Sequence, residues 1–332
     1  MSIEVIRPGL LTTVQDLGRY GYQRFGVVAG GVMDEWAYRL ANAAVGNDVS
    51  DASLEITLQG PVLRFGEPAL VAVCGADLEP RIKDASFPQG RPVLVRAGAL
   101  LEFRAGEHGC RAYLAVRGGI QVPKVMGSRS TYVRAALGGV AGRALKKGDQ
   151  LPIAAYAPGW YPTLDHALAE SGSAFAAPRW SVGFTAVPAK ARRVRVTAGP
   201  QWDLFSQETR ELFLGSEFGI SVNSDRMGYR LTGALLKLRR PAEMISEAVT
   251  FGTIQVPPDG NPIILMADRQ TTGGYPKIAQ IAAVDLPRLA QTRPLERFSF
   301  ELVTLAEAQQ AYLAREREIA QICEAIEYQR RT

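Results

Sequence analysis

The sequence predicts a mainly β protein with a few helices, arranged as two related β domains and ended by a C-terminal helix. Three observations carry this. Short apolar or alternating runs are punctuated by Gly, Pro or Asp along most of the 332 residues, which contain 33 Gly and 20 Pro. A set of residue spacings recurs at an offset of roughly 190 positions. The last stretch, residues 305–329, is free of Gly and Pro and rich in Ala, Glu, Gln and Arg.

The strands are expected at Ala69–Cys74, Val93–Val95, Ala99–Phe103, Arg111–Val116, Val194–Thr197, Ile263–Met266 and Arg297–Val303. Intervals of about 10 to 25 residues between such runs suit closed or sandwich-like β structure. A helix is expected over 34–45, where Trp36, Leu40 and Ala44 share a face and Asp34 can cap the start; Gly46-Asn47-Asp48 should stop it. The stretch 156–188 holds four Pro and many small residues, and reads as an ordered loop or linker. In residues 305–329, Leu305, Ala308, Ala311, Tyr312, Ile319, Ile322, Cys323 and Ile326 recur near helical spacing. That predicts an amphipathic helix docked on the body or on a partner.

The repeat reads as follows. Pro8-Gly9, Phe25-Gly26-Val27, Met33, Tyr38-Arg39-Leu40, Glu55, Gly60, Pro68–Asp77 and Leu101-Glu102-Phe103 have counterparts. These are Gly199-Pro200, Phe218-Gly219-Ile220, Met227, Tyr229-Arg230-Leu231, Glu247, Gly252, Pro262–Asp268 and Phe298-Ser299-Phe300. Duplication and chance alignment both remain open. The expected divisions are a first β domain with its connector at 1–187, a second at 188–304, and the helix at 305–332. A cleft between two such domains is a natural ligand site.

Composition excludes several function classes. The net charge is +5 and the basic residues are scattered, so no nucleic-acid binding is expected. The start lacks a basic, apolar leader and no run reaches the roughly 18 apolar residues of a membrane span. The expectation is a cytoplasmic protein with no membrane role. Three widely spaced cysteines, Cys74, Cys110 and Cys323, speak against disulfides and zinc; Cys74 and Cys110 read as buried small hydrophobes. Only His108 and His166 exist, so neither a His-based triad nor a metal site is expected. There is no G-x-x-x-x-G-K-[ST] phosphate loop, and Gly138–Arg143 lacks the strand-turn-helix setting of a dinucleotide site.

Three segments carry more polar chemistry than core packing requires. In 12–22, Asp16 and Arg19 lie among Gly18 and Gly21, so a turn could aim a carboxylate and a guanidinium at a ligand, or pair them locally. In 223–231, Arg226 and Arg230 flank Met227-Gly228-Tyr229; planar guanidinium forks suit a carboxylate, a ureido group or a phosphate. In 268–277, Asp268, Arg269, Gln270, Thr271, Thr272, Tyr275 and Lys277 surround Gly273-Gly274 directly after an apolar run. That donor density suits an oxygen-rich substrate or a developing oxyanion. Catalysis would fall to Asp268, Lys277 and Arg226, and substrate binding to Asp16, Arg19, Tyr229, Arg230, Arg269, Gln270, Thr271, Thr272 and Tyr275. Variants Arg226→Ala and Lys277→Ala are expected to keep the fold and lose turnover.

These segments, together with LEITLQGP at 54–61, STYVRAALGGVAGRALKKGD at 130–149 and GTIQVPPDGNPIILMADRQTTGGYPKIA at 252–279, resemble the KipA (allophanate hydrolase subunit 2) family of biotin-dependent-carboxyltransferase-like proteins. The likeness is colinear from about residue 3 to residue 300. It implies a pair of cyclophilin-like β-barrel domains and a KipI-like partner chain. It also implies a role as one subunit of an ATP-dependent 5-oxoprolinase, in which a LamB/YcsF-like subunit joins the KipI-like one to open a small lactam, 5-oxoproline, to L-glutamate. ATP would then be used at the level of the complex. Biotin is a possible cofactor of the family, but no Met-Lys-Met biotinyl-lysine motif occurs; Lys124-Val125-Met126 lacks it. Two other roles remain open from the resemblance: a KipA-like regulator that binds a kinase inhibitor, and the carboxyltransferase part of a urea-carboxylase-like system.

Overall fold

The structure is a computed structural model that describes residues 1–183, 193–240 and 244–331. The expected boundary at 187/188 lies outside the described residues. The chain forms two compact units. The first comprises Met1–Arg19, Asp34–Ala186 and Glu318–Thr332, and the second Tyr20–Met33 and Val187–Arg317. The excursion of 20–33 into the second unit had no signal in the sequence.

Among the described residues there are five α-helices: α1 (Glu35–Ala44), α2 (Pro162–Glu170), α3 (Gln207–Gly215), α4 (Leu286–Gln291) and α5 (Leu305–Arg331). None is long and apolar enough to cross a membrane. The expected strands all form, as Ala69–Asp77, Val93–Val95, Leu100–Glu102, His108–Val116, Arg193–Ala198, Ile263–Leu265 and Arg297–Leu302.

The first unit builds two six-stranded antiparallel sheets. One runs in the order Gln150–Pro152, Ser2–Arg7, Val62–Phe65, Leu100–Glu102, Arg81–Ile82, Ala85–Ser86. The other runs Phe175–Ala176, Val93–Val95, Ala69–Asp77, His108–Val116, Ser53–Thr57, Leu11–Gln15. Alternate side chains of both sheets, among them Ile3, Phe65, Leu101, Leu54, Val73 and Leu114, meet in one core, because period-2 strands put every second residue on one face. In this unit the β structure is made of two sheets that share a core.

Helix α1 packs on Ala69–Asp77 and His108–Val116. Its start is fixed twice. The Asp34 carboxylate accepts from the Ala37 amide at 2.9 Å, the capping geometry the sequence suggested. The Asp34 amide donates to Tyr113 Oη at 2.8 Å, and Tyr113 Oη donates to buried Glu55 at 2.7 Å. Burial and then the Glu55 charge push the Tyr113 hydroxyl well above its usual pKa, so it stays a neutral donor.

The second unit is a closed seven-stranded barrel in the order Arg193–Ala198, Lys277–Ile281, Thr253–Gln255, Ile263–Leu265, Gly228–Thr232, Glu217–Ile220, Arg297–Leu302. Every pair is antiparallel except the closing one, Arg193–Ala198 beside Arg297–Leu302, which is parallel. Phe213 of α3 stacks on Phe300 at 4.5 Å between ring centroids, and Phe218 and Phe298 sit 5.5 and 5.3 Å from Phe300. Each buried ring contributes about 1.5–3 kcal/mol of hydrophobic stabilisation. A two-residue ladder, Glu247–Ala248 with Thr272–Gly273, stands apart from the barrel.

Two readings change. Part of the stretch 156–188 folds as α2, which starts with Pro162 in the first helical turn, where its missing amide costs nothing. The aligned triplets of the repeat differ: Tyr38-Arg39-Leu40 lies in α1, whereas Tyr229-Arg230-Leu231 lies in the strand Gly228–Thr232.

Candidate functional site

Each sequence segment folds into a distinct local arrangement. In the first unit, the Asp16 carboxylate accepts from Ser128 Oγ and Ser130 Oγ at 2.6 Å, from the Arg129 amide at 2.6 Å and from the Gly18 amide at 2.9 Å. The Asp16 amide donates to Ser130 Oγ at 2.9 Å. Arg19, 1% exposed, donates to the Ser130 carbonyl. Asp16 and Arg19 thus clamp the turn at 16–19 onto 128–131. Gly138 is required beside this clamp: a Cβ there would lie 2.1 Å from the Ser130 carbonyl oxygen.

The other candidates belong to the second unit. Arg226, 7% exposed, and Asp268, 5% exposed, form a two-pronged pair: Nε donates to Oδ2 at 2.9 Å and a terminal nitrogen donates to Oδ1 at 3.0 Å. The guanidinium also donates to the Gly31 carbonyl at 2.5 Å, and the Asp268 amide donates to the Arg226 carbonyl at 2.8 Å. Bidentate geometry of this kind locks both side chains. Tyr229 is buried in the barrel core, while Arg230, its neighbour on the strand, is exposed because side chains alternate faces.

Arg269 follows Asp268 half-buried. Its guanidinium lies 6.0 Å from the centre of the Phe251 ring and reaches the Met266 and Val249 carbonyls at 3.4 and 3.5 Å. Burial pulls its pKa down, with the charges of Tyr20 and Asp268 opposing. Among the described residues no carboxylate lies within ion-pair distance of it, so it is a cation able to take an anion.

Lys277 opens the strand Lys277–Ile281 with its side chain 6% exposed. Its ammonium lies 2.8 Å from Glu247 Oε2, although the angles are not those of a well-formed hydrogen bond. Glu247 is held below the usual glutamate pKa by its close contact with the Lys277 ammonium and then by the Lys277 charge, with a smaller effect from Gln201. Gln201 Oε1 accepts from the Lys277 amide at 3.1 Å.

Around Lys277 the fold gathers Gln255, directly across the ladder, and Thr272 and Gly273, which pair with Ala248 and Glu247. Val249 donates to the Thr271 carbonyl at 3.2 Å, which ties the segment 268–272 to the segment that carries Glu247. Tyr275 is 45% exposed; Thr272 is exposed, and Gln270 and Thr271 are half-buried. Asp268, Arg269, Thr271, Thr272, Tyr275 and Lys277 therefore belong to one unit with Arg226, which pairs with Asp268, while Lys277 pairs with Glu247. The sequence reasoning did not find Glu247, Gln201 and Gln255. Glu247 was visible only as a repeat position, and its pairing with Lys277 spans 30 residues. Among the described residues no group of acidic, His and Cys side chains could hold a metal ion.

The second unit is thus a closed β-barrel with a cluster of charged and carboxamide side chains at Lys277, Glu247, Gln201 and Gln255. The family model described as "Carboxyltransferase domain, subdomain A and B" matches residues 25–302, and the chain belongs to this carboxyltransferase-domain family, as its motifs indicated. It is 38% identical over 317 residues to the C subunit of 5-oxoprolinase from Haemophilus influenzae, covering 96% of both chains. It is 38% identical over 320 residues to the C subunit of 5-oxoprolinase from Escherichia coli, covering 96% of this chain and 97% of that one. Among solved structures, urea amidolyase of Kluyveromyces lactis superposes with a TM-score of 0.85 at 34% identity. That match covers 97% of this chain and only 20% of the other.

Proposed function

We propose that the chain is one subunit of an ATP-dependent 5-oxoprolinase that opens 5-oxoproline to L-glutamate together with a KipI-like and a LamB/YcsF-like subunit. The observation that carries this is the end-to-end match with the C subunits of two bacterial 5-oxoprolinases, 96% of each sequence at 38% identity for Haemophilus influenzae. The urea amidolyase of Lachancea kluyveri, by contrast, matches at 33% over 17% of its length, as a fragment of a larger enzyme.

The chemistry is consistent. A lactam carbonyl is a poor electrophile, and ring opening to the amino acid needs coupling to ATP. Transfer of the terminal phosphoryl group of ATP to the carbonyl oxygen releases ADP. Addition of water to the carbon and cleavage of the C–N bond then give an acyl phosphate and the amine, and a second water releases phosphate and leaves the carboxylate. This chain offers cations for the substrate carboxylate and for developing oxygen charge at Lys277 and Arg269, with hydroxyls and carboxamides at Thr271, Thr272, Gln255 and Gln270. Arg226 and Asp268 act as positioning residues that hold the 268–272 segment. Asp16 and Arg19 do the same for 128–131. ATP is used by the assembled subunits. Biotin does not fit a carrier role in this chain: its buried, paired Lys277 cannot serve as an exposed carrier lysine, and Lys124 lacks the flanking methionines.

The test is ATP hydrolysis dependent on 5-oxoproline in a mixture of the three subunits. Hydrolysis should require this chain. Equal rates with and without it would refute the reading. The relatives in urea amidolyases favour carboxyl transfer as the second reading. It predicts carboxylation of an amide substrate by a biotin-bearing partner in place of ring opening.

A further inference from the structure

We propose that Glu247 is an internal stand-in for the ligand's carboxylate: it caps the Lys277 ammonium, and an anionic small molecule binds by exchanging with it. The identity of that molecule as 5-oxoproline rests on the function proposed above; the exchange itself rests on the geometry of the pair.

The two halves of the pair are unequal. The Lys277 side chain is 6% exposed and that of Glu247 is 52% exposed. An ammonium in that position needs an anion, because removing the partner of a buried charge leaves it uncompensated. Glu247 has no such need. Its carboxylate returns to water at little cost, and ion pairs of exposed groups are weak. Lys277 therefore favours a carboxylate partner strongly, while the carboxylate that serves it is replaceable.

The contact also leaves capacity. An ammonium carries three donors. Its contact among the described residues is a single carboxylate oxygen at 2.8 Å, poorly aligned for a hydrogen bond. An incoming carboxylate has room to align better than the resident one.

The support for Glu247 is slight. It lies on a ladder of two residue pairs, Glu247 with Gly273 and Ala248 with Thr272, outside the barrel. Two-stranded pieces of this size have little stability of their own. Lys277, by contrast, is fixed in the barrel by pairing with Thr253–Gln255 and by Gln201, whose amide donates to the Lys277 carbonyl at 3.2 Å. Gly273 lets the ladder lie close: a Cβ there would be 2.3 Å from Gln255 Nε2. The cation is rigid and its cap is loosely mounted.

The surroundings select the ligand. Gln201 and Gln255 bring carboxamides beside one positive charge. A molecule with one carboxylate and one amide matches this set. An internal competitor lowers apparent affinity by the fraction of time it vacates the site. If Glu247 caps Lys277 about nine-tenths of the time, its removal lowers the apparent Kd about tenfold.

The experiment uses the complete assembly of all three subunits and two readouts. In the first, Lys277 is acylated by N-acetoxysuccinimide and followed by peptide mass spectrometry, with no turnover needed. Glu247→Gln should label severalfold faster than wild type, and Glu247→Asp should fall between them. 5-oxoproline should protect Lys277 in Glu247→Gln at lower concentration than in wild type, and better than acetate does. In the second, Glu247→Gln should lower KM for 5-oxoproline by up to about tenfold, with kcat changed less. Equal labelling of wild type and Glu247→Gln would overturn the cap. Faster labelling without protection by any carboxylate would overturn the exchange. If acetate and glutamate protect while 5-oxoproline neither protects nor supports ATP turnover, the exchange stands and the function proposed above fails.

Discussion

Removing the Arg226 guanidinium tests how the second unit holds its functional segment. In Arg226→Met, the Asp268 carboxylate, 5% exposed, loses both prongs of its partner, at 2.9 and 3.0 Å. Breaking a buried pair from one side costs about 3–5 kcal/mol, because the remaining charge is stranded. At roughly 2–4 °C per kcal/mol for a chain portion of this size, Tm should fall by roughly 6–20 °C. This revises the expectation that Arg226→Ala would leave the fold intact. Asp268→Asn should cost less, since the neutral amide strands no carboxylate. The double variant should be clearly more stable than the sum of the singles implies, with a coupling of about 0.5–3 kcal/mol. The assay is urea denaturation of the four proteins of the cycle. Additive effects, or a loss under about 1 kcal/mol for Arg226→Met, would refute a pair that locks the segment.

Three further outcomes follow from the geometry. Asp34→Ala should cost about 0.5–2 kcal/mol by loss of the α1 cap, read by denaturation, with Asp34→Asn recovering most of it. Burial raises the Asp285 pKa, but the hydrogen bonds and charge of Arg195 outweigh it, and the net shift is below the usual aspartate value. The depressed folded pKa means the unfolded chain binds the proton more readily. This stabilisation is therefore present above about pH 3.9 and is lost as the pH falls further. An acid titration of stability should flatten in Asp285→Asn. The Cys74 thiol, buried and pushed up to about 12 by desolvation, should not react with a maleimide in the folded protein, whereas exposed Cys323 should. Equal labelling rates would contradict the burial.

Much of the fold was legible because strands write themselves locally. Val93–Val95 was read with its observed bounds, and α1 carried both its cap and its stop. What was hidden depends on distant pairing. Nothing near Arg193–Ala198 announces a parallel partner about a hundred residues later at Arg297–Leu302, yet that pair closes the barrel. Helix α2 was masked by a Pro that reads as a breaker and by only two buried apolar residues, Leu164 and Leu168.

The candidate site shows the same division. Residue types at 268–277 were visible as an excess of donors. Their partners were not: Asp268 turned to Arg226 and Lys277 to Glu247, across 42 and 30 positions of the chain. Asp16 and Arg19 had two readings in the sequence, ligand contact or local pairing. The structure shows the carboxylate engaged by Ser128, Arg129 and Ser130.

The most direct measurement is the rate of 5-oxoproline-dependent ATP hydrolysis by the three-subunit assembly carrying Lys277→Met in this chain, alongside its Tm and its co-purification with the partner subunits. A buried cation that serves the substrate predicts retained assembly and a rate lower by roughly a hundredfold or more. An assembled enzyme that turns over at the wild-type rate would contradict it.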